Sequence, residues 1–79
     1  MNAYTTEFFA ACPNGGHRIK YRLRIETRDM LMAEDIVSAC EATDEGFHEE
    51  IADAMLKRFG GVQTLVAEHH GVTIETTRA

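Results

Sequence analysis

Residues 4–25 read YTTEFFAACPNGGHRIKYRLRI, and this stretch decides the fold. Tyr4, Thr6, Phe8 and Ala10 alternate with Thr5, Glu7, Phe9 and Ala11, and further on Ile19, Tyr21, Leu23 and Ile25 alternate with Arg18, Lys20, Arg22 and Arg24. A period of two with one apolar and one polar side is the mark of a strand buried on one face. Between the two runs, Pro13-Asn14-Gly15-Gly16 is a turn signal, because Asn and Gly tolerate positive φ. If Pro13 lies opposite Gly16, Cys12 faces His17, Ala10 faces Ile19, Phe8 faces Tyr21, Thr6 faces Leu23 and Tyr4 faces Ile25. On the other side Glu7 meets Arg22 and Phe9 meets Lys20, and such cross-strand pairs contribute about 0.2–1 kcal/mol each. A slip of one residue would carry the basic stripe into the core, so the pattern enforces this register.

Working outward, Asp29 has the chemistry of an N-cap for a helix from about residue 30 to 42, with Met32, Ala33, Ile36, Val37 and Cys40 at helical spacing. Residues 43–46 (Thr-Asp-Glu-Gly) interrupt it. A second helix is expected over residues 47–59, with Phe47, Ile51, Met55 and Phe59 on one face. Acidic residues at its start and Lys57-Arg58 at its end match the helix dipole, and Gly60-Gly61 stop it. A single helix bent at Gly46 is the alternative. Leu65, Val66 and Ala67 then lead through residues 68–71 to Val72, Ile74 and Thr76, a second hairpin. The expected fold is α+β in the order ββααββ, a four-stranded antiparallel sheet with helices on one face.

Seventy-nine residues make one domain, 1–79. A core of that size typically supplies no more than about 3–5 kcal/mol of net stability. Cys12 and Cys40 allow at most one bridge, so the chain is no disulfide scaffold. With no other staple visible, self-association is the expected source of further stability. The absence of an apolar leader or a run long enough to span a bilayer points to a cytoplasmic protein with no membrane partner. The net charge of −5 is unevenly placed: residues 1–28 balance at +3 and residues 29–59 at −7. An acidic chain is poorly suited to direct nucleic-acid binding, which needs clustered Lys and Arg.

Three groupings carry chemistry. Cys12 and His17, paired at the mouth of the first hairpin, are a candidate thiolate and proton acceptor, since a nearby imidazole lowers a thiol pKa. The plainer reading is a small cysteine beside a turn histidine. His48, Glu49, Glu50 and Asp53 open the second helix. A carboxylate there can anchor a nitrogen-rich ring through paired N–H donors, while the plainer reading is a solvated face favoured by the dipole. His69-His70 are adjacent on a strand and point to opposite faces. With no CxxC, HxxxH or HxH spacing anywhere, no metal site is expected.

Thr6-Glu7-Phe8 followed by Cys12-Pro13 and Gly16 resembles the nucleophile segment of 7-cyano-7-deazaguanine (preQ0) reductases. Gly46-Phe47-His48-Glu49 looks like that family's second signature. The resemblance implies Glu49 as the residue that holds the deazaguanine base, His48 beside it and Cys12 as a nucleophile forming a thioimide-type adduct. It also implies the tunnelling fold, a ββααββ unit whose copies associate into barrels and bind purine- or pterin-like rings between subunits, and NADPH as cofactor. Two features of that family are unmatched. No Asp follows Cys12 near residues 17–19, which leaves His17 or His48 as the proton-transfer candidate. Residues 28–35 (Arg-Asp-Met-Leu-Met-Ala-Glu-Asp) do not resemble the segment that helps hold the nicotinamide cofactor. The competing reading of the whole chain is a non-enzymatic acidic module that occupies a basic protein surface, in the manner of a phage-type inhibitor of a nucleic-acid-binding protein.

Overall fold

The computed structural model describes residues 1–79 and has the expected order. Strands β1 (Asn2–Ala11) and β2 (Arg18–Thr27) are followed by helices α1 (Ala33–Ala42) and α2 (His48–Phe59), then by strands β3 (Val62–His69) and β4 (Val72–Arg78). The strands form one antiparallel sheet in the order β1-β2-β3-β4. The first hairpin adopts the register its sequence demands, with Phe8 opposite Tyr21, Thr6 opposite Leu23 and Tyr4 opposite Ile25. Phe8 and Tyr21 stack with ring centroids 5.3 Å apart, a contact that adds to simple burial. Tyr21, Leu23, Ile25 and Leu65 are the largest fully buried side chains. They lie on the two central strands, because only there are both lateral neighbours supplied by the sheet and the third side by the helices.

Both helices cover the same face, α1 over β1 and α2 over β3 and β4. The opposite face is open and carries the basic stripe, held in check by Glu7, which bonds Arg22 at 3.1 Å and Lys20 at 3.4 Å. Such exposed pairs contribute little individually.

The helices differ in detail from the periodicity reading. Asp29 caps nothing: its N–H donates to Thr27 Oγ1 at 3.1 Å. Residues 30–32 stay outside the helix, where the Leu31 N–H donates to the Tyr4 hydroxyl at 3.0 Å, and α1 starts behind Met32 with no side-chain cap. Phe47 precedes α2 in extended conformation. Helical spacing therefore does not apply to it, and it is half exposed while His48 is buried. The end of α2 is tied down by Gln63, whose amide donates to the Met55 carbonyl at 2.9 Å and the Gly60 carbonyl at 2.8 Å. A buried glutamine on β3 thus adds a second donor at the last turn of α2 and pairs the Gly60 carbonyl just beyond it.

The α2–β3 corner depends on Gly61, with φ at +71°, where an added Cβ would sit 2.5 Å from the Glu26 carbonyl oxygen. Gly71, in the β3–β4 turn, also has positive φ but open space around it. Gly71→Ala should therefore lose only about the 1–2 kcal/mol of a left-handed residue, and Gly61→Ala clearly more. Urea denaturation of the two variants checks this, and equal losses would contradict the packing described.

Candidate functional site

Cys12 lies one residue beyond β1, where its N–H donates to the His17 carbonyl at 2.8 Å and its carbonyl accepts from the Gly16 N–H at 2.9 Å. The hairpin therefore holds the thiol at the end of the sheet. The connection between the helices is drawn to the same place. The Ala11 N–H donates to the Asp44 carbonyl at 2.8 Å and the Gly46 N–H to the Ala11 carbonyl at 3.1 Å, which makes a short parallel bridge from Ala11 to Glu45. Immediately after that bridge, Phe47 leads into α2, which His48 and Glu49 open at the cavity that Cys12 also lines. Two segments more than thirty residues apart in sequence so meet at one point.

The result is a cavity of about 400 Å³ lined by Cys12, Gly46, Phe47, His48, Glu49, His69 and Ile74. That is within the size range of small-molecule sites. It holds one thiol, two imidazoles, one carboxylate and an aromatic ring. A larger groove of about 510 Å³ runs along the free edge of β1 beside Val37 and Cys40. Its thiol is chemically quiet: burial, with Glu41 adding to it, pushes Cys40 up to about 11, away from thiolate formation.

Of the residues singled out from sequence, Cys12, His48 and Glu49 border the cavity. His17 is exposed, and its ring meets His70 edge-on at 5.8 Å, outside the lining. Glu49 is 78% exposed and shares Arg78 with Asp53: the guanidinium lies 3.7 Å from Glu49 and 2.8 Å from Asp53. The tighter bond goes to Asp53, so the Glu49 carboxylate keeps acceptor capacity.

Two contributors went unread in the sequence. Arg78 steadies both α2 carboxylates from β4. His69, set aside as one half of an adjacent pair, turns to the helix side of the sheet and meets His48, Nδ1 to Nε2, at 3.1 Å. The other ring nitrogen of His48 lies 3.1 Å from the Leu65 carbonyl. Tyr21 backs both rings, with centroids 5.5 Å from His48 and 5.8 Å from His69. Its hydroxyl is buried without a hydrogen-bond partner. No three metal-binding side chains converge anywhere in the chain.

NADPH does not fit the segment to which the family resemblance assigns it, residues 28–35. The segment 28–35 offers its phosphates one base, Arg28, against Asp29, Glu34 and Asp35, all exposed, and the last two stand in the uncapped first turn of α1.

The ββααββ antiparallel sheet with its helices on one side is the unit that the tunnelling-fold resemblance implies. A solved structure titled as the apo form of the archaeosine synthase QueF-Like shares it, with a TM-score of 0.79 over 98% of this chain and 89% of that one. At 17% identity the likeness is one of fold. No protein-family model and no curated protein matches the sequence. No helix is long and apolar enough to cross a membrane.

Burial pushes the His48 imidazole below its ordinary value of 6.5, more than the Leu65 hydrogen bond raises it. An unfolded His48 takes up a proton as pH falls through about 6.5, while the folded one stays neutral to lower pH. The stability held in the neutral ring is complete above that value and is lost as pH falls from it toward the folded pKa. Urea midpoints between about pH 7.5 and 5.5 should decline in the wild type, and less steeply in His48→Gln. Replacing exposed His70 by Gln should leave the slope unchanged, and a slope that follows His70 rather than His48 would contradict the assignment.

Proposed function

We propose that the cavity binds a purine- or pterin-like ring, with Glu49 as the anchor for ring N–H donors and Cys12 as the thiol beside the ring. The observation that carries this reading is that Cys12 and Glu49, which arrive from opposite ends of the first half of the fold, line one hollow of ligand size. The fold likeness to a protein titled an archaeosine synthase supports it. An ionised carboxylate accepts two N–H donors at once, the geometry that a guanine-type edge presents. With an electrophilic ring nitrile, the Cys12 sulfur would bond to the nitrile carbon, one C–N π bond would open, and the thiol proton would pass to nitrogen by way of an imidazole at the cavity. The product is a thioimide of unchanged total mass, and the step needs no external reductant. Reduction of the nitrile is not part of this proposal, because residues 28–35 do not offer the nicotinamide cofactor the contacts that the resemblance implies.

Self-association belongs to the same proposal. Apart from Ala11, which the interhelical connection pairs, the outer strands β1 and β4 have no strand on their outward side, and such edges invite strand pairing. Phe9, Val62 and Val72 are exposed apolar residues on or beside the sheet, which a second copy would cover. The acidic-module reading retains one observation in its favour: all nine acids of residues 29–59 are exposed.

Native mass spectrometry with preQ0, guanine and neopterin tests the two readings together. The ring-binding reading predicts a defined oligomer that retains at least one of these compounds, with retention lost in Glu49→Gln. A monomer indifferent to all three, with salt-sensitive affinity for basic proteins, would favour the acidic module. Denaturing mass spectrometry after incubation with preQ0 should show a covalent adduct at the summed mass in the wild type and none in Cys12→Ser. An adduct that survives Cys12→Ser would remove the thiol from the mechanism.

A further inference from the structure

The His48–His69 pair has a direction that its partners determine. A backbone carbonyl can only accept, so the hydrogen bond to Leu65 places a proton on His48 Nε2. In the neutral ring the other nitrogen, Nδ1, is then an acceptor. The contact at 3.1 Å consequently requires His69 to donate from Nε2. Burial of His48 holds it in the neutral form. The chain of bonds runs from His69 Nε2–H to His48 Nδ1, and from His48 Nε2–H to Leu65. Neutral His69 is left with a bare lone pair on Nδ1, which makes no hydrogen bond within the protein, on a ring that lines the cavity. Tyr21, packed edge-on against His69, restricts the ring.

We infer that His69 is a ligand-binding residue whose Nδ1 accepts a second N–H from the bound ring, and that His48 is a positioning residue that fixes the tautomer. The cavity then presents two acceptors, the Glu49 carboxylate and His69 Nδ1, and selects flat heterocycles with N–H donors on two edges over those with donors on one. This rests on the ring-binding reading above. It adds a residue from β3 to a site otherwise built from the β1 terminus and the start of α2. It also accounts for two buried or half-buried imidazoles in a core too small to need them for packing.

The experiment has two arms on the full-length protein. Long-range ¹H–¹⁵N correlation spectra of the free wild type report the tautomers directly, and both His48 and His69 should carry their proton on Nε2. In the second arm, guanine affinity is measured by calorimetry for the wild type, His69→Gln and His69→Asn. Glutamine sets an amide N–H where Nε2–H was, so His48 remains paired, but offers nothing at the Nδ1 position. Asparagine sets a polar group near Nδ1 instead. His69→Gln should weaken guanine binding by about tenfold, the loss of one hydrogen bond, and His69→Asn should retain most of it. An Nδ1–H tautomer at His69 would overturn the inference whether or not guanine binds. Equal losses in both variants would overturn it as well, since they would mark a structural role, and so would no loss in His69→Gln, each leaving ring binding intact. A wild type that binds no guanine while its Nε2–H tautomers are in place would overturn the ring-binding reading, and with it the assigned ligand contact.

Discussion

The site depends on a pair of backbone hydrogen bonds, from Ala11 to Asp44 and from Gly46 to Ala11. They add the interhelical connection to the free edge of the sheet as a one-residue parallel bridge. Without them the start of α2 would be located only by the packing of Ile51, Ala52 and Met55, which fixes the helix axis better than its first turn. With them, the chain direction entering Phe47 is set, His48 is turned into the core and Glu49 is placed beside Cys12. Backbone groups impose this whatever side chains the connection carries, apart from Gly46. A Cβ at that position would come within 3.1 Å of Ile51.

A second constraint follows from the small size of the core. Only twelve buried apolar residues make up the hydrophobic cluster, yet His48, Gln63, Thr27 and Thr76 are buried with them. Buried polar groups are tolerable only when paired. The Gln63 amide nitrogen meets this at the end of α2, while its Oε1 stays buried without a partner, and His48 meets it through Leu65 and His69. The first is structural, since it ties the last turn of α2 and the Gly60 carbonyl to β3. The second does more than satisfy His48, because it extends to the cavity wall and leaves an acceptor there. Tyr21 is a further exception: its ring belongs to the core through Phe8 and packs against His48, while its hydroxyl is buried without a partner.

The sheet was legible because strand alternation is a local signal with a global consequence. Tyr4 through Ile25 contain one register that buries Phe8, Tyr21, Leu23 and Ile25 together, and the chain takes it. Helix starts were less legible. Asp29 has the right chemistry for a cap, but Thr27 and Tyr4 capture the backbone nearby, and no local rule anticipates a hydroxyl arriving from another strand. Phe47 follows the apolar period yet stands outside the helix. At the site, the motif resemblance named Cys12, His48 and Glu49. His69 and Arg78 stayed hidden, since their partners are 21 and 25–29 residues away. His70 lies not on the strand but in the turn after it, with φ at +53°, so strand alternation does not govern the pair. What the sequence could not say is that one of them faces another histidine.

The site therefore exists only if the connection between the helices is docked on β1 in solution. Amide hydrogen exchange followed by NMR reads this directly at Ala11 and Gly46, the two donors of the bridge. The account predicts that both exchange slowly, at rates close to those of the paired amides in the body of the sheet. Exchange of Gly46 and Ala11 at the rate of an open loop, while Leu23 and Leu65 stay protected, would show that the fold stands without the bridge and that Cys12 and Glu49 share no lasting cavity.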